Sequence, residues 1–326
     1  MAEKKAKGKF RSFLPWIIGV IITQLVLINI SASIYAYRLT HFYKADTISS
    51  GYASANILQK TWKLFTGPKL TKYVLNTTPA FPYDTVNFVV RGNIPIESWY
   101  SKTDSVAKGT VILVHGVMIN KGIVLTEAEQ FRLMGYNVML LDLRGHGHSG
   151  GNSTTMGVKE TEEVKKAYDY IQSKGEKNIF LWGMSMGAVT VAKFIYDYNL
   201  PVSGIILEMP FASLSAYLRA KARSLNFPEQ PFAFLVTFWM GLENGYNGFN
   251  HSTTRYAKKI NCPVLLQWGT LDEFVLKSEI TSIYDAIGSM HKSFVVYENA
   301  RHESLLKNDP EKWNKSVGSF LSAGVK

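Results

Sequence analysis

The chain has 326 residues, enough for one large α/β domain with additions, and its 46% hydrophobic content supports a sizeable core. Its one cysteine, Cys262, excludes an internal disulfide framework and a cysteine-based zinc site, and stands as a small apolar filler before a strand. The net charge of +11, from 36 basic and 25 acidic residues, sits partly in the first eleven residues and forms no basic stripe interleaved with aromatics, so nucleic acid is not an expected partner.

In chain order, residues 1–11 form a basic tail with Lys4, Lys5, Lys7, Lys9 and Arg11. Residues 12–37 carry no charge and are long enough to cross a bilayer as one helix. Gln24 and Asn29 are its isolated polar residues, and Trp16, Tyr35 and Tyr37 suit the two interfaces. The lysines before the span predict a cytoplasmic N-terminus and put everything after Arg38 on the other side. A competing reading is a cleaved signal peptide, because small residues (Ser31, Ala32, Ser33, Ala36) follow the apolar run, and the chain would then be exported. A buried helix of the soluble domain is a third reading.

Residues 38–84 read as a membrane-proximal segment, with a helix expected over 52–65 from the spacing of Ile57, Leu58, Trp62 and Phe65. Pro79 and Pro82 mark the boundary of the main domain, taken as residues 85–326. Within it, alternating residues flank Gly92-Asn93 as a β-hairpin, residues 85–91 and 94–100. Apolar strands are then expected at 110–114, 137–141, 179–182, 202–207, 263–268 and 293–297. Helices are expected between them at about 125–134, 161–173, 188–198 and 276–287, with a closing helix at 310–321. Strands alternating with helices imply crossover connections and a largely parallel sheet covered on both faces.

Residues 209–259 interrupt that rhythm. They hold many large aromatic side chains and read as a helical cap rising from the carboxyl edge of the sheet, where ligands bind in such folds. Phe211, Phe234, Phe238 and Trp239 are candidate linings of an apolar substrate pocket.

The chemistry centres on Gly183-Met184-Ser185-Met186-Gly187, between an apolar strand and a helix with small residues at its start. A nucleophile on so sharp a turn needs neighbours without bulky side chains, and the helix N-terminus behind it favours developing negative charge. A serine hydroxyl needs a base, and the base a group that fixes its tautomer. Asp272 stands just past one strand and His302 in the loop after the next, so both open toward the sheet edge that bears Ser185. Glu273 and Glu208 are alternative acids, the latter equally a polar cap at the sheet edge. His115, His146 and His148 read as structural or loop-packing residues, and Asp142 as a brace for the Arg144-Gly145 turn.

The order serine, acid, histidine, with H-G-V-M at His115, D-L-R-G-H-G-H-S at Asp142, G-M-S-M-G at Gly183, G-T-L-D-E-F-V at Gly269 and A-R-H-E at Ala300, resembles the α/β-hydrolase superfamily. It is most similar to the capped branch of monoacylglycerol-lipase-like, serine-aminopeptidase-like (S33) and membrane-anchored BEM46-like hydrolases. The resemblance implies Ser185 as nucleophile, His302 as general base and acid, and Asp272 as orienting carboxylate. It also implies an oxyanion hole from the backbone N–H groups of Val117 and Met186. The H-G-V-M loop departs from the H-G-G-G loop of one esterase branch. The implied activity is cleavage of carboxylic ester or thioester bonds in apolar acyl substrates. The alternatives are an S33-like peptidase and a catalytically silent binding protein of the same shape. Neither a metal nor an organic cofactor is expected, since the histidines lack ligand spacing and no glycine-rich dinucleotide pattern follows the first strand.

Overall fold

The computed structural model describes residues 2–43, 57–74 and 77–324, with the side chains of the first helix described from Phe13 on. That helix, α1 (Ala2–Thr40), is one continuous element that absorbs the basic tail and runs past the expected span. From Phe13 to Ile28 its side chains are exposed, and its last turns turn inward: Ala32, Ala36 and Leu39 are buried. Tyr35 is buried as well, edge-on to Phe227 and Phe232, so it packs protein and does not serve a membrane interface as the sequence suggested. Tyr37 stays partly exposed and stacks on His41.

Two short strands, β1 (Phe42–Tyr43) and β2 (Leu70–Thr71), pair in parallel on either side of α2 (Ile57–Thr66), a small sheet that the sequence did not announce. The portion of the expected helix before Ile57 lies outside the described residues. Arg38 ties α1 to the end of α2, donating to Thr66 Oγ1 at 2.6 Å and the Gly67 carbonyl at 2.7 Å.

The main sheet has eight strands in the order β10-β9-β8-β7-β5-β6-β4-β3. The hairpin β3 (Asp84–Val90) and β4 (Ile94–Ser101) is antiparallel and lies at one edge, β4 pairing antiparallel with β6. The rest run parallel: β5 (Thr110–Val114), β6 (Asn137–Leu141), β7 (Ile179–Met184), β8 (Gly204–Glu208), β9 (Val264–Gly269) and β10 (Lys292–Tyr297). The crossovers are α3 (Leu125–Leu133), α4 (Thr161–Ser173), α5 (Met186–Tyr198) and α9 (Lys277–Ala286). The short α10 (Leu305–Asn308) and α11 (Pro310–Gly324) close the chain. Strands β5, β8 and β9 are buried along their whole length, which fits their unbroken apolar runs: both faces are covered and no polar alternation is needed.

Between β8 and β9 the chain leaves the sheet as α6 (Leu214–Ser224), α7 (Glu229–Asn244) and α8 (Thr253–Ala257). Ser213 and Ser252 cap α6 and α8 with their hydroxyls. The insertion is fastened to the body by the buried His251, whose Nε2 lies 2.9 Å from the Met156 carbonyl. It also meets α1: Trp239 Nε1 donates to Asn29 Oδ1 at 3.4 Å and Ser33 Oγ to Glu243 at 2.9 Å.

Candidate active site

Strand β7 ends at Met184 and α5 begins at Met186, so one residue makes the turn. That residue, Ser185, adopts φ 54° and ψ −119°, a conformation a side-chain-bearing residue holds only when its surroundings enforce it. The enforcement is visible. Ser185 N–H donates to the Glu208 carbonyl at 2.8 Å, and its own carbonyl accepts from Val189 N–H at 3.1 Å. The flanking glycines let the backbones close in: a Cβ at Gly183 would stand 2.5 Å from the Gly187 carbonyl oxygen, and one at Gly187 would collide with the Val114 carbonyl.

Ser185 Oγ lies 2.8 Å from His302 Nε2, and His302 Nδ1 lies 2.7 Å from Asp272 Oδ2. The three residues come from the loops after β7, β9 and β10, all at the carboxyl edge of the parallel strands. Asp272 is held by its other oxygen, which accepts from the N–H groups of Phe274 and Val275 at 2.8 Å each. Its side chain is fully buried while the His302 ring is partly open to solvent, with Phe274 leaning on that ring at 5.4 Å between centroids. A carboxylate on Nδ1 takes that nitrogen's proton in a hydrogen bond, which leaves Nε2 as the acceptor for the serine hydroxyl. The alternative acids are engaged elsewhere. Glu273 is exposed and pairs with Arg301 at 3.1 Å. Glu208 is buried and accepts from the indoles of Trp182 and Trp313.

The loop after β5 passes beside the serine: a Cβ on Gly116 would touch Ser185 Cβ at 3.4 Å. Two buried imidazoles shape this loop. His115 Nε2 accepts from Leu143 N–H at 3.1 Å, and His146 Nε2 accepts from Met118 N–H at 3.2 Å. The rings meet edge to face at 5.0 Å. Burial lowers the pKa of both, His146 to about 3, so both are neutral rings able to accept. Val117 therefore sits between Gly116, whose carbonyl accepts from His115 Nδ1 at 2.7 Å, and Met118, whose N–H is held by His146 from outside the loop. Met186 opens α5, where the first N–H groups have no acceptor within their own helix.

Asp142 braces its own turn at His148, past the Arg144-Gly145 step expected, and reaches a second loop as well. It accepts from Lys121 N–H and His148 N–H at 2.8 Å each and pairs with the Lys121 ammonium, and a Cβ at Gly147 would run into its carboxylate. Arg144 is instead held by Glu163 at 2.6 Å and Glu162 at 2.8 Å. Glu97, Asp142 and His148 approach one another closely enough to suggest a metal site. The Lys121 ammonium bonds both carboxylates, lies over the Trp99 ring at 4.4 Å and fills the position a cation would take.

The four aromatic residues expected to line a pocket have other surroundings. Phe211 is buried against Tyr217 and His251. Phe234 is exposed beside Phe249. Phe238 is exposed against Trp239, and Trp239 lines a groove with Ile22, Leu25 and Val26 of α1. Of the large rings of α7, Phe232 and Trp239 answer to the first helix, which the sequence alone does not bring to the cap. Reasoning from sequence also missed Lys121 and Glu127. Glu127 is buried and accepts from the Ser304 hydroxyl, two residues beyond His302.

A sheet of this order, with a serine at the turn from its central strand into a helix, is the α/β-hydrolase fold, and the serine, histidine and aspartate at its carboxyl edge have the geometry of a serine-hydrolase site. A family model described as serine aminopeptidase, S33, matches residues 105–241. The uncharacterized protein YqkD of Bacillus subtilis is 28% identical over 216 residues, which cover 65% of this chain and 70% of that protein. The lysophosphatidylserine lipase ABHD12 of Danio rerio is 25% identical over 281 residues, 79% of this chain and 67% of that lipase. Among solved structures, an esterase of Pyrococcus furiosus superposes with a TM-score of 0.67 at 24% identity, covering 78% of this chain and 97% of the esterase.

Proposed function

We propose that this protein is a membrane-anchored serine hydrolase that cleaves carboxylic esters of apolar acyl substrates through an acyl-enzyme. The observation that carries the reading is the unbroken hydrogen-bonded series Asp272, His302, Ser185, with both links at 2.8 Å or less. Ser185 Oγ attacks the ester carbonyl as its proton passes to His302 Nε2. The imidazolium is stabilised by Asp272, and the oxyanion by the N–H groups of Val117 and Met186. Collapse breaks the bond to the alcohol, which leaves with the proton from His302. Water then attacks the acyl-enzyme with His302 again as base, releasing the acid and restoring Ser185.

An ester substrate is supported by the names of relatives, a lysophosphatidylserine lipase and an esterase. A peptidase that recognises a free amino terminus needs a carboxylate on offer in the cap. The two acids of the insertion are both engaged, Glu229 with Arg223 at 3.1 Å and Glu243 with Ser33 at 2.9 Å, which favours the ester reading. The membrane reading is supported by α1, whose exposed apolar stretch has the length and composition to cross a bilayer. A fluorophosphonate probe is expected to label the full chain, and Ser185→Ala to abolish both labelling and hydrolysis of p-nitrophenyl esters. Labelling that survives the substitution overturns the assignment.

A further inference from the structure

The apolar surface around the exit of α1 extends beyond α1 itself. On α7, Phe234, Phe238 and Leu242 stand four residues apart and so form a single ridge, and all three are exposed. Phe249 stacks beside Phe234 and is also exposed. No charged residue lies between Glu229 and Glu243. The neighbouring ridge of α7 is the one that grips α1, through Trp239 on Asn29 and Glu243 on Ser33. On α2, Leu58 and Trp62 repeat the pattern at the same spacing, and α2 is held to α1 by Ser31 Oγ on the Phe65 carbonyl at 2.5 Å. The exposures of these six side chains run from 43% at Phe249 to 76% at Leu58. Scattered surface apolar residues need no explanation, but a contiguous set of large aromatics does.

The level of this belt along α1 identifies its occupant. From Phe13 to Ile30 the helix lies outside the protein body, apart from the half-covered Asn29. At 1.5 Å per residue this is roughly 27 Å of helix, close to the hydrocarbon core of about 30 Å. The hydrogen bonds that fasten α1 to the protein body begin just where that length ends, at Asn29, Ser31 and Ser33, although Trp239 reaches along the helix toward Ile22. Large aromatic and aliphatic side chains at that level, uncharged along α7 between Glu229 and Glu243 and accompanied by Lys60 and Lys63 in the α2 sequence, match the region where interfacial residues settle.

We infer that the outer ridge of α7, with Phe249 and the outer face of α2, is seated in the surface of the bilayer that α1 spans, so that the cap is a second membrane contact. The inference rests on the membrane reading of α1 given above. It adds that the insertion over the carboxyl edge of the sheet is itself lipid-facing, so that acyl substrates reach Ser185 from the plane of the membrane.

The test reads position and not turnover, so a failure of the ester assignment leaves it standing. In a Cys262→Ala background, full-length chains carrying Phe234→Cys, Phe238→Cys or Leu242→Cys are spin-labelled and reconstituted in phosphatidylcholine vesicles. Accessibility to oxygen, which concentrates in lipid, is compared with accessibility to an aqueous nickel chelate. Ile22→Cys marks the span, and Val106→Cys, at the opposite edge of the sheet, marks water. The expected result is an oxygen-to-nickel ratio raised several-fold over Val106 at all three α7 positions, in the direction of Ile22. Ratios equal to that of Val106 overturn the proposal. Labels shielded from both reagents overturn it too, in favour of a second copy of the chain on this face. An aqueous ratio at Ile22 removes the span, and the proposal with it.

Discussion

Raising the pH toward 8 should loosen this protein through one carboxyl. Glu208 ends β8 beneath the serine turn, fully buried. Its Oε1 accepts from Trp182 Nε1 at 2.9 Å and Trp313 Nε1 at 2.7 Å, while its Oε2 has no hydrogen-bond partner among the described residues. Burial pushes its pKa up from 4.5 to about 8, against the weaker downward pull of the two indoles. Between those values the native protein keeps a proton that the unfolded chain has released. The stability is therefore fully present below the unfolded value and is lost as the pH rises through about 8. At about 1.4 kcal/mol per pH unit the span sets a ceiling near ~5 kcal/mol. Water penetration and relaxation reduce that to about 2–4 kcal/mol, or roughly 5–15 °C of melting temperature for a domain of this size. Glu208→Gln keeps an acceptor for both indoles and removes the titration. Thermal unfolding of the detergent-solubilised full chain, wild type beside variant, at pH 5.5 and at pH 8.5, provides the comparison. The two proteins should melt close together at the lower pH and diverge at the higher, with the variant the more stable. Parallel profiles would refute the reasoning, because Glu208 would then carry no differential proton.

Asp272→Asn should cut kcat on a p-nitrophenyl ester by about 10⁴-fold with little change in melting temperature, since the amide no longer fixes the His302 tautomer; a loss below tenfold would move the orienting role to another acid. Lys121→Met should destabilise the protein by about 3–5 kcal/mol in denaturant unfolding, because Asp142 is left buried without its cation; an unchanged midpoint would show the pair to be dispensable. Gly187→Ala should cost more than about 3 kcal/mol, since its Cβ would run into the backbone carbonyls of Val114 and His115, with no flexible side chain to give way. A melting temperature within a degree or two of wild type would contradict that packing.

Much of the fold is written in local pattern. Fully buried parallel strands need continuous apolar runs, and residues 110–114 and 179–182 supply them, so the sheet was legible strand by strand. The three side chains now seen within hydrogen-bond reach were also legible, because each lies in the loop that follows a strand and parallel strands open their loops at one edge. What resists reading is contact between distant stretches that share a composition. The aromatic residues of α7 suit a substrate pocket, a core or the flank of another helix equally well, and only the docking of α1 decides among these. Tyr35 is the same case from the other side, an interface residue by position and a core residue in fact. Asp142 does brace its own turn, through His148 N–H, but its pairing with Lys121 on a different loop leaves no local signal. The pairing of β1 with β2 joins two-residue segments, too short for any periodicity.

The torsion angles at position 185 carry a further consequence. Glycine adopts positive φ without the clash that a Cβ brings, so a chain with glycine there would hold the same turn at lower cost and should melt higher while doing no chemistry. Folding and turnover thus pull in opposite directions at this single residue. Left to selection for robustness alone, the molecule would drift toward silence, and a serine retained at that bend is the mark of a reaction that is wanted.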